Sequence, residues 1–337
     1  MKAVGYRASL PISDVCSLMD IETSEPQPGP RDLLVKVKAI SVNPIDTKMR
    51  MRQSADAPDW RILGWDAAGE VVAKGNDCQK FKVGDHVYYA GSLTRSGTNA
   101  EFHCVDERIV GRKPARLSHA EAAAIPLTAL TAWETLFDRL DVNKSVPGAK
   151  KSILIIGGAG GVGSLAIQFA KQIAHLKVAA TASREETKQW CLDLGADIVF
   201  DHHQNLNEQF VQHDWNDFSF AFSTNQSHKY AQSIADGLAP QGRFALIDDP
   251  DLFDVKMFKR KSISIHWELM FTRALFATSD QDHQGFILDQ VANYIDQNII
   301  RTTVGGHYGA INATNLRKAH ADIESGTVKG KIVLEGF

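Results

Sequence analysis

The chain has 337 residues, a formal net charge of −3 and four cysteines. Its length exceeds what one compact core usually holds and predicts about two domains with a cleft between them. The mild acidity without any run of Lys and Arg gives no footprint for nucleic acid or for an anionic membrane, and no stretch of about 18 apolar residues is present to span a bilayer. The N-terminus MKAVGYRASLPISDV lacks the apolar core of a signal peptide, and Cys16, Cys78, Cys104 and Cys191 are scattered with no CxxC pair. The chain therefore reads as a cytoplasmic protein with isolated thiols whose partner is a small molecule.

In chain order, the first 115 or so residues are short β-like runs broken by Gly, Pro and Asp: LLVKVKAISV at 33–42, GEVVAKG at 69–75 and KVGDHVYYAG at 82–91. This alternation predicts a β-rich barrel or sandwich. The texture changes at Ser118, where SHAEAAAIPLTALTAWETLFDRL opens with Ser and carries Glu121 three residues on, the capping-box spacing of a helix start. Strands and helices then alternate, as in KSILIIGG, SLAIQFAKQIA, KVAATA, REETKQWCLDLGA, DIVFD and GRFALID. That order predicts βαβ units and a parallel sheet whose strands are apolar throughout because helices cover both faces. After about residue 268 come one long helix candidate, GFILDQVANYIDQNII, and a terminal strand, KIVLEGF.

Gly158, Gly160 and Gly163 form G-x-G-x-x-G directly after a strand and directly before a helix, with Gly161 and Val162 between them. Glycine lets the backbone turn sharply and approach a pyrophosphate, and the first N–H groups and dipole of the helix favour its charge. A nucleoside-triphosphatase loop needs Lys after its last glycine, and here Ser164 follows Gly163. The glycines are therefore expected to hold a dinucleotide. About twenty residues on, an NAD site carries Asp or Glu for the ribose hydroxyls. This chain has Ala182-Ser183-Arg184 there, with Lys188 one turn further. Ser183, Arg184 and Lys188 suit a 2′-phosphate and favour NADP(H) over NAD(H). The other reading of Arg184 and Lys188 is a solvated helix face beside Glu185 and Glu186.

Seven motifs in this order, SVNPIDTKMR, GWDAAGEVVAKG, KVGDHVY, IPLTALTAWETL, IIGGAGGVGSLAIQFAK, LGADIVFD and VKGKIVLE, resemble the medium-chain dehydrogenase/reductase superfamily, and within it the zinc-independent quinone oxidoreductase branch. The resemblance covers essentially the whole chain. It implies an α/β protein with a Rossmann NADP(H)-binding domain, residues 121–268, inserted in a β-rich GroES-like catalytic domain made of residues 1–120 and 269–337, and an active site in the cleft. It also implies that the nicotinamide lies near Asn43, Asp46, Thr128 and Lys331, with the pyrophosphate over Gly160 to Val162. Zinc alcohol dehydrogenases of the superfamily take their metal through a Cys in the segment matching 43–46 and a His in the segment matching 64–66, where this chain has Asn43 and Trp65. Only Cys104 falls in the segment of the four-cysteine lobe, 91–104, and His103 beside it points to the opposite strand face. No metal is expected.

Without zinc, interconversion of a simple alcohol and ketone loses its main electrophile. A quinone or an α,β-unsaturated carbonyl is a better hydride acceptor, since the charge delocalises as a phenolate or enolate that hydrogen-bond donors can hold. The expected activity is NADPH-dependent reduction of such an acceptor. A zinc-type alcohol dehydrogenase and a non-catalytic NADPH-binding protein are the alternatives. Relatives often carry a Tyr after the N-x-x-D segment; this chain offers Lys48, Met49 and Met51. Lys48 is a candidate donor to an oxyanion or an exposed loop lysine, and Asp46 a proton-relay member or a turn residue after Pro44. Trp60 and Trp65 are candidates to wall an aromatic acceptor or to fill the core. His202 and His203 are given no catalytic part. Specificity is expected in residues 49–62 and 268–284. The run SISIHWELMF at 262–271 resembles a strand that pairs across a twofold axis, which makes a homodimer the default, or is an internal strand of the sheet.

Overall fold

The protein is described here by a computed structural model covering residues 1–54 and 59–337; the part of the 49–62 specificity segment at 55–58 lies outside the described residues. The chain divides into two compact units, Met1–Leu130 with Phe271–Phe337, and Thr131–Met270. Among the described residues no helix is long and apolar enough to cross a membrane.

The first unit is β-rich. A three-stranded antiparallel sheet has Lys2–Tyr6 between Met19–Glu22 and Arg61–Ile62. A seven-stranded sheet is centred on Asp32–Val42, whose apolar residues alternate with Lys36 and Lys38 as a strand with one wetter face requires. This strand pairs antiparallel with Ala67–Lys74 on one side and Lys331–Glu335 on the other, and its first half also pairs with Phe102–Asp106. Register shifts between Leu34 and Val35 and between Val37 and Ala39 mark bulges that bend it. The long helix candidate near the C-terminus forms as His283–Asp296, burying Ile287, Leu288, Val291 and Ile295 at helical spacing.

The Ser118 capping box forms in full: Ser118 Oγ accepts the Glu121 N–H at 3.2 Å and a Glu121 carboxylate oxygen accepts the Ser118 N–H at 2.9 Å. The helix it starts is short, His119–Ala123. Pro126 opens a second helix, Pro126–Trp133, because proline disfavours helical geometry in the residue before it while fitting the first helical turn.

The second unit holds a six-stranded parallel sheet in the order Ile198–Phe200, Lys177–Thr181, Lys150–Ile156, Phe218–Ser223, Leu238–Leu246, Ser264–Trp267. The strand FSFAFS at 218–223 is buried at every position, as helices on both faces demand. Phe200, Phe210, Phe218, Phe244 and Phe258 form the heart of one of its cores. The strand of this sheet that comes first in the chain, Lys150–Ile156, lies in its middle, with the chain running outward first one way and then the other. Its C-terminal end is thus a topological switch point, where open α/β sheets bind ligands. The run 262–271 contributes the strand Ser264–Trp267, which lies at one end of the sheet order, paired in parallel with Leu238–Leu246.

Candidate active site

Strand register builds the first cluster. Lys331–Glu335 pairs with Asp32–Val42 so that Ile332 faces Val42, and Ala67–Lys74 pairs with the same strand so that Ala67 faces Ile40. Lys331, Asn43 and Asp66, each one residue beyond these pairs, therefore converge. The Lys331 ammonium donates to Val42 O at 3.0 Å, to Asp66 Oδ2 at 3.1 Å and to Asn43 Oδ1. Asp66 Oδ2 also accepts from Ser41 Oγ and from Asn43 Nδ2, both at 2.8 Å, and Asp66 Oδ1 accepts the Leu127 N–H at 2.8 Å in the first turn of the helix Pro126–Trp133. A carboxylate there caps a helix end and suits its dipole. All three side chains are at most 3% exposed.

Burial pushes the Asp66 carboxyl up, opposed by Lys331 and the hydrogen bonds from Asn43, Leu127 and Ser41. Burial likewise pushes the Lys331 ammonium down, opposed by Asp66. Three donors on Asp66 Oδ2 and one on Oδ1, with the Lys331 ammonium among them, favour the carboxylate form, so the pair is an ionised one held by hydrogen bonds. Asp46, on the helix Pro44–Arg52, accepts the Asn43 N–H at 2.7 Å through Oδ2. It is fully buried, and burial pushes its carboxyl up to about 7 against that hydrogen bond and the Lys331 charge. Thr128 lies in the same unit, its hydroxyl donating back to Ile125 O at 3.0 Å.

Sequence reasoning missed Asp66. The signal was an acid opening the apolar strand in GWDAAG, where a charge must be paired if it is buried.

In the second unit the glycine loop leaves the strand Lys150–Ile156 at the switch point. Gly157, at φ 77°, donates its N–H to Thr181 Oγ1 at 3.0 Å. The helix Gly161–Gln168 follows, with no side chain capping its N-terminus. The glycines differ in what they permit. A Cβ on Gly163 would lie 2.2 Å from Gly157 O, and one on Gly158 2.7 Å from Ala180 Cβ, so these two allow the helix to press on the strands. A Cβ on Gly160 would meet only Gly157 O at 3.6 Å. The bare face at Gly160, beside the uncapped N–H groups of Gly161, Val162 and Gly163, fits a pyrophosphate. Ser183 and Arg184 follow the next strand, with Arg184 exposed at the start of the helix Glu185–Asp193 and its side chain not used as a cap. Lys188 stands 3.5 Å from Asp201 Oδ2, an ion pair that the sequence reading did not include.

The remaining candidates are dispersed within the first unit. Lys48 is half-buried on the helix Pro44–Arg52. Trp60 carries the Arg7 guanidinium over its ring at 4.3 Å. Trp65 is a core residue, 1% exposed, donating to Ser92 O at 3.2 Å and packed edge-to-face on Phe271. His103 stacks on Tyr89 and is held neutral, its imidazolium form pushed down to about 4 by burial.

The donors do not fit zinc. Asn43 and Asp66 face an ammonium that already supplies the positive charge, and a divalent ion there would have to displace Lys331. Among the described residues, no three His, Cys, Asp or Glu side chains are grouped so as to hold a metal.

Two family models match the chain: the alcohol dehydrogenase GroES-like domain over residues 29–130 and the zinc-binding dehydrogenase over residues 194–334. The chain is 36% identical to a zinc-type alcohol dehydrogenase-like protein of Staphylococcus epidermidis, over 99% of both proteins. It is 40% identical to the 2-methylene-furan-3-one reductase of Solanum lycopersicum over 181 residues, 50% of this chain and 44% of that one. A crystal structure from Rhizobium etli CFN 42, provisionally named a zinc-dependent alcohol dehydrogenase protein, superposes with a TM-score of 0.98 at 56% identity, covering 100% of this chain and 98% of that one. The β-rich unit is thus GroES-like, and the chain belongs to the medium-chain dehydrogenase/reductase superfamily of oxidoreductases, among its zinc-type alcohol dehydrogenase-like proteins.

Proposed function

We propose that the protein is an NADPH-dependent oxidoreductase that reduces a conjugated acceptor, a quinone or an α,β-unsaturated carbonyl, without zinc. The observation that carries the reading is the buried Lys331–Asp66–Asn43 cluster, in which an ammonium already meets the carboxylate and the amide. A network of hydrogen-bond donors lacks the Lewis acidity that a simple ketone requires, yet it suffices for an oxyanion whose charge is spread over a ring or an enone. The relative from Solanum lycopersicum, named for the reduction of 2-methylene-furan-3-one, which is itself such an enone, supports the acceptor class.

NADPH, when bound, supplies the hydride. The chain's part is to hold the pyrophosphate on the N–H groups of Gly161 to Gly163 and the 2′-phosphate at Ser183 and Arg184, with Lys188 shared with Asp201. The Asn43 cluster then offers a dry, polar surface to the acceptor oxygen, and Asp46, titrating near neutrality, is a group that can hold or release a proton. The edge position of Ser264–Trp267 supports a homodimer in which two sheets join through this strand.

The test is NADPH consumption by chelator-treated protein, without oxygen, offered a quinone or a simple enone at matched concentration. Turnover with either is expected. Activity that appears only when zinc is restored, with an alcohol as substrate, would replace the reading with a zinc alcohol dehydrogenase. Binding of NADPH without turnover of any acceptor would leave a binding protein.

A further inference from the structure

The proton count of the buried cluster separates its members. An ammonium has three N–H groups, and those of Lys331 go to Val42 O, Asn43 Oδ1 and Asp66 Oδ2. The Ser41 hydroxyl donates to Asp66 and the Thr128 hydroxyl to Ile125 O. The Asn43 amide has two N–H groups, of which one goes to Asp66 Oδ2 at 2.8 Å and the other meets no acceptor among the described residues. Its orientation follows from chemistry: an ammonium can only donate and so must face Oδ1, and an ionised carboxylate can only accept and so must face Nδ2. A buried donor left unmatched costs about 1–3 kcal/mol, which a fold tolerates where a ligand supplies the acceptor.

We propose that the second Asn43 Nδ2–H is the donor to the acceptor's oxygen in the reduction, and that Asp66 and Lys331 are positioning residues that lock the amide with this proton unused by the protein. The assignment rests on the reductase reading above. When hydride adds to the β-carbon of an enone, the C=C electron pair shifts toward the carbonyl, whose oxygen gains the negative charge; the Asn43 N–H binds that oxygen, and a solvent proton completes the α-carbon. Lys331, with all three protons committed, acts through Asn43 rather than on the substrate.

The experiment is a double-mutant cycle on steady-state reduction of a simple enone by the full-length protein, with NADPH affinity measured separately by fluorescence. Asn43→Ala leaves Asp66 three of its donors and is expected to lower kcat by ~10²–10³-fold, the range for loss of one oxyanion donor, with NADPH affinity within about threefold. Asp66→Ala is expected to lower kcat at least about tenfold in the wild-type background and less than about threefold in the Asn43→Ala background, because a residue acting through Asn43 has nothing left to position. If Asp66→Ala does not fold, Lys331→Met takes its place in the cycle with the same expectation. Equal losses in both backgrounds, or an Asn43→Ala protein of unchanged kcat, would overturn the proposal while leaving the reductase reading intact. A wild-type protein that binds NADPH but reduces no acceptor would overturn the reading and the proposal with it.

Discussion

Lys331 and Asp66 are 265 residues apart in the chain and 3.1 Å apart in the fold, both buried and each the other's only counter-charge in direct contact among the described residues. Removing one partner strands the other. Asp66→Ala should cost about 3–5 kcal/mol, the usual penalty for leaving one buried charge uncompensated. The double variant Asp66→Ala/Lys331→Met should recover a substantial part of that loss. Urea unfolding of the three proteins checks it; equal instability of the single and double variants would place the cost in lost packing.

Asp46 makes stability depend on pH in the direction opposite to that of a salt-bridged acid. Its carboxyl is pushed up from 3.8 to about 7 by burial, so between those values the folded state binds a proton that the unfolded state has released. Stability from this group is therefore fully present below about pH 4 and is lost as pH rises to about 7, by at most about 4 kcal/mol. Asp46→Asn keeps an oxygen for the Asn43 N–H and cannot ionise. The stability of Asp46→Asn relative to wild type should rise from pH 5 to pH 7.5 and then level off. A difference that is flat with pH would mean that Asp46 is already ionised at pH 5.

Gly160 and Gly163 should respond differently to the same methyl group. Gly163→Ala pushes a Cβ to 2.2 Å from a backbone oxygen and should destabilise by about 1–3 kcal/mol. Gly160→Ala meets nothing closer than 3.6 Å in the protein, so it should cost at most about 1 kcal/mol as a poorer helix cap. Its NADPH Kd should nonetheless rise at least about tenfold, since the methyl group would stand where the proposed pyrophosphate site lies. Thermal melts and NADPH titrations of both variants make the comparison.

Arg184 and Lys188 should divide unequally in cofactor choice. Arg184 is exposed at its helix start, directly after the strand end and Ser183, and Lys188, one turn on, faces Asp201 at 3.5 Å. If Arg184 holds the 2′-phosphate as proposed, Arg184→Ala should weaken NADPH at least about tenfold with little effect on NADH, because only NADPH carries the group that the guanidinium fork would bind. Lys188→Ala should change NADPH affinity less than Arg184→Ala does. Equal losses of NADPH and NADH on Arg184→Ala would remove it from the 2′-phosphate site.

The edge strand Ser264–Trp267 leaves Trp267 55% exposed. The wild-type mass in solution should be twice that of one chain, and Trp267→Glu should shift it toward one chain by placing like charges against each other across the twofold axis. A monomeric wild type would remove the homodimer.

The parts of the site that are local were legible in the residues alone. The glycine loop could be read because its function depends on spacing within a few residues of one strand and one helix, and the Ser118 capping box because Ser118 and Glu121 are three residues apart. Asn43, Asp46 and Lys331 were singled out through motifs of a resembled family, and the structure gathers them in one unit with Thr128, while Lys48, Trp60 and Trp65 have other surroundings. Lys188, a cofactor candidate in the sequence, also pairs with Asp201, thirteen positions away, a neighbour that local spacing did not show. By itself the sequence determined the elements, the α/β class and the glycine loop between strand and helix, because hydrophobic period and backbone permissiveness act within one or two turns of chain. Only the tertiary structure decided that Asp66 is the hub of the buried cluster and which way the Asn43 amide points, because a buried carboxylate and ammonium find each other through the register of three strands drawn from opposite ends of the chain.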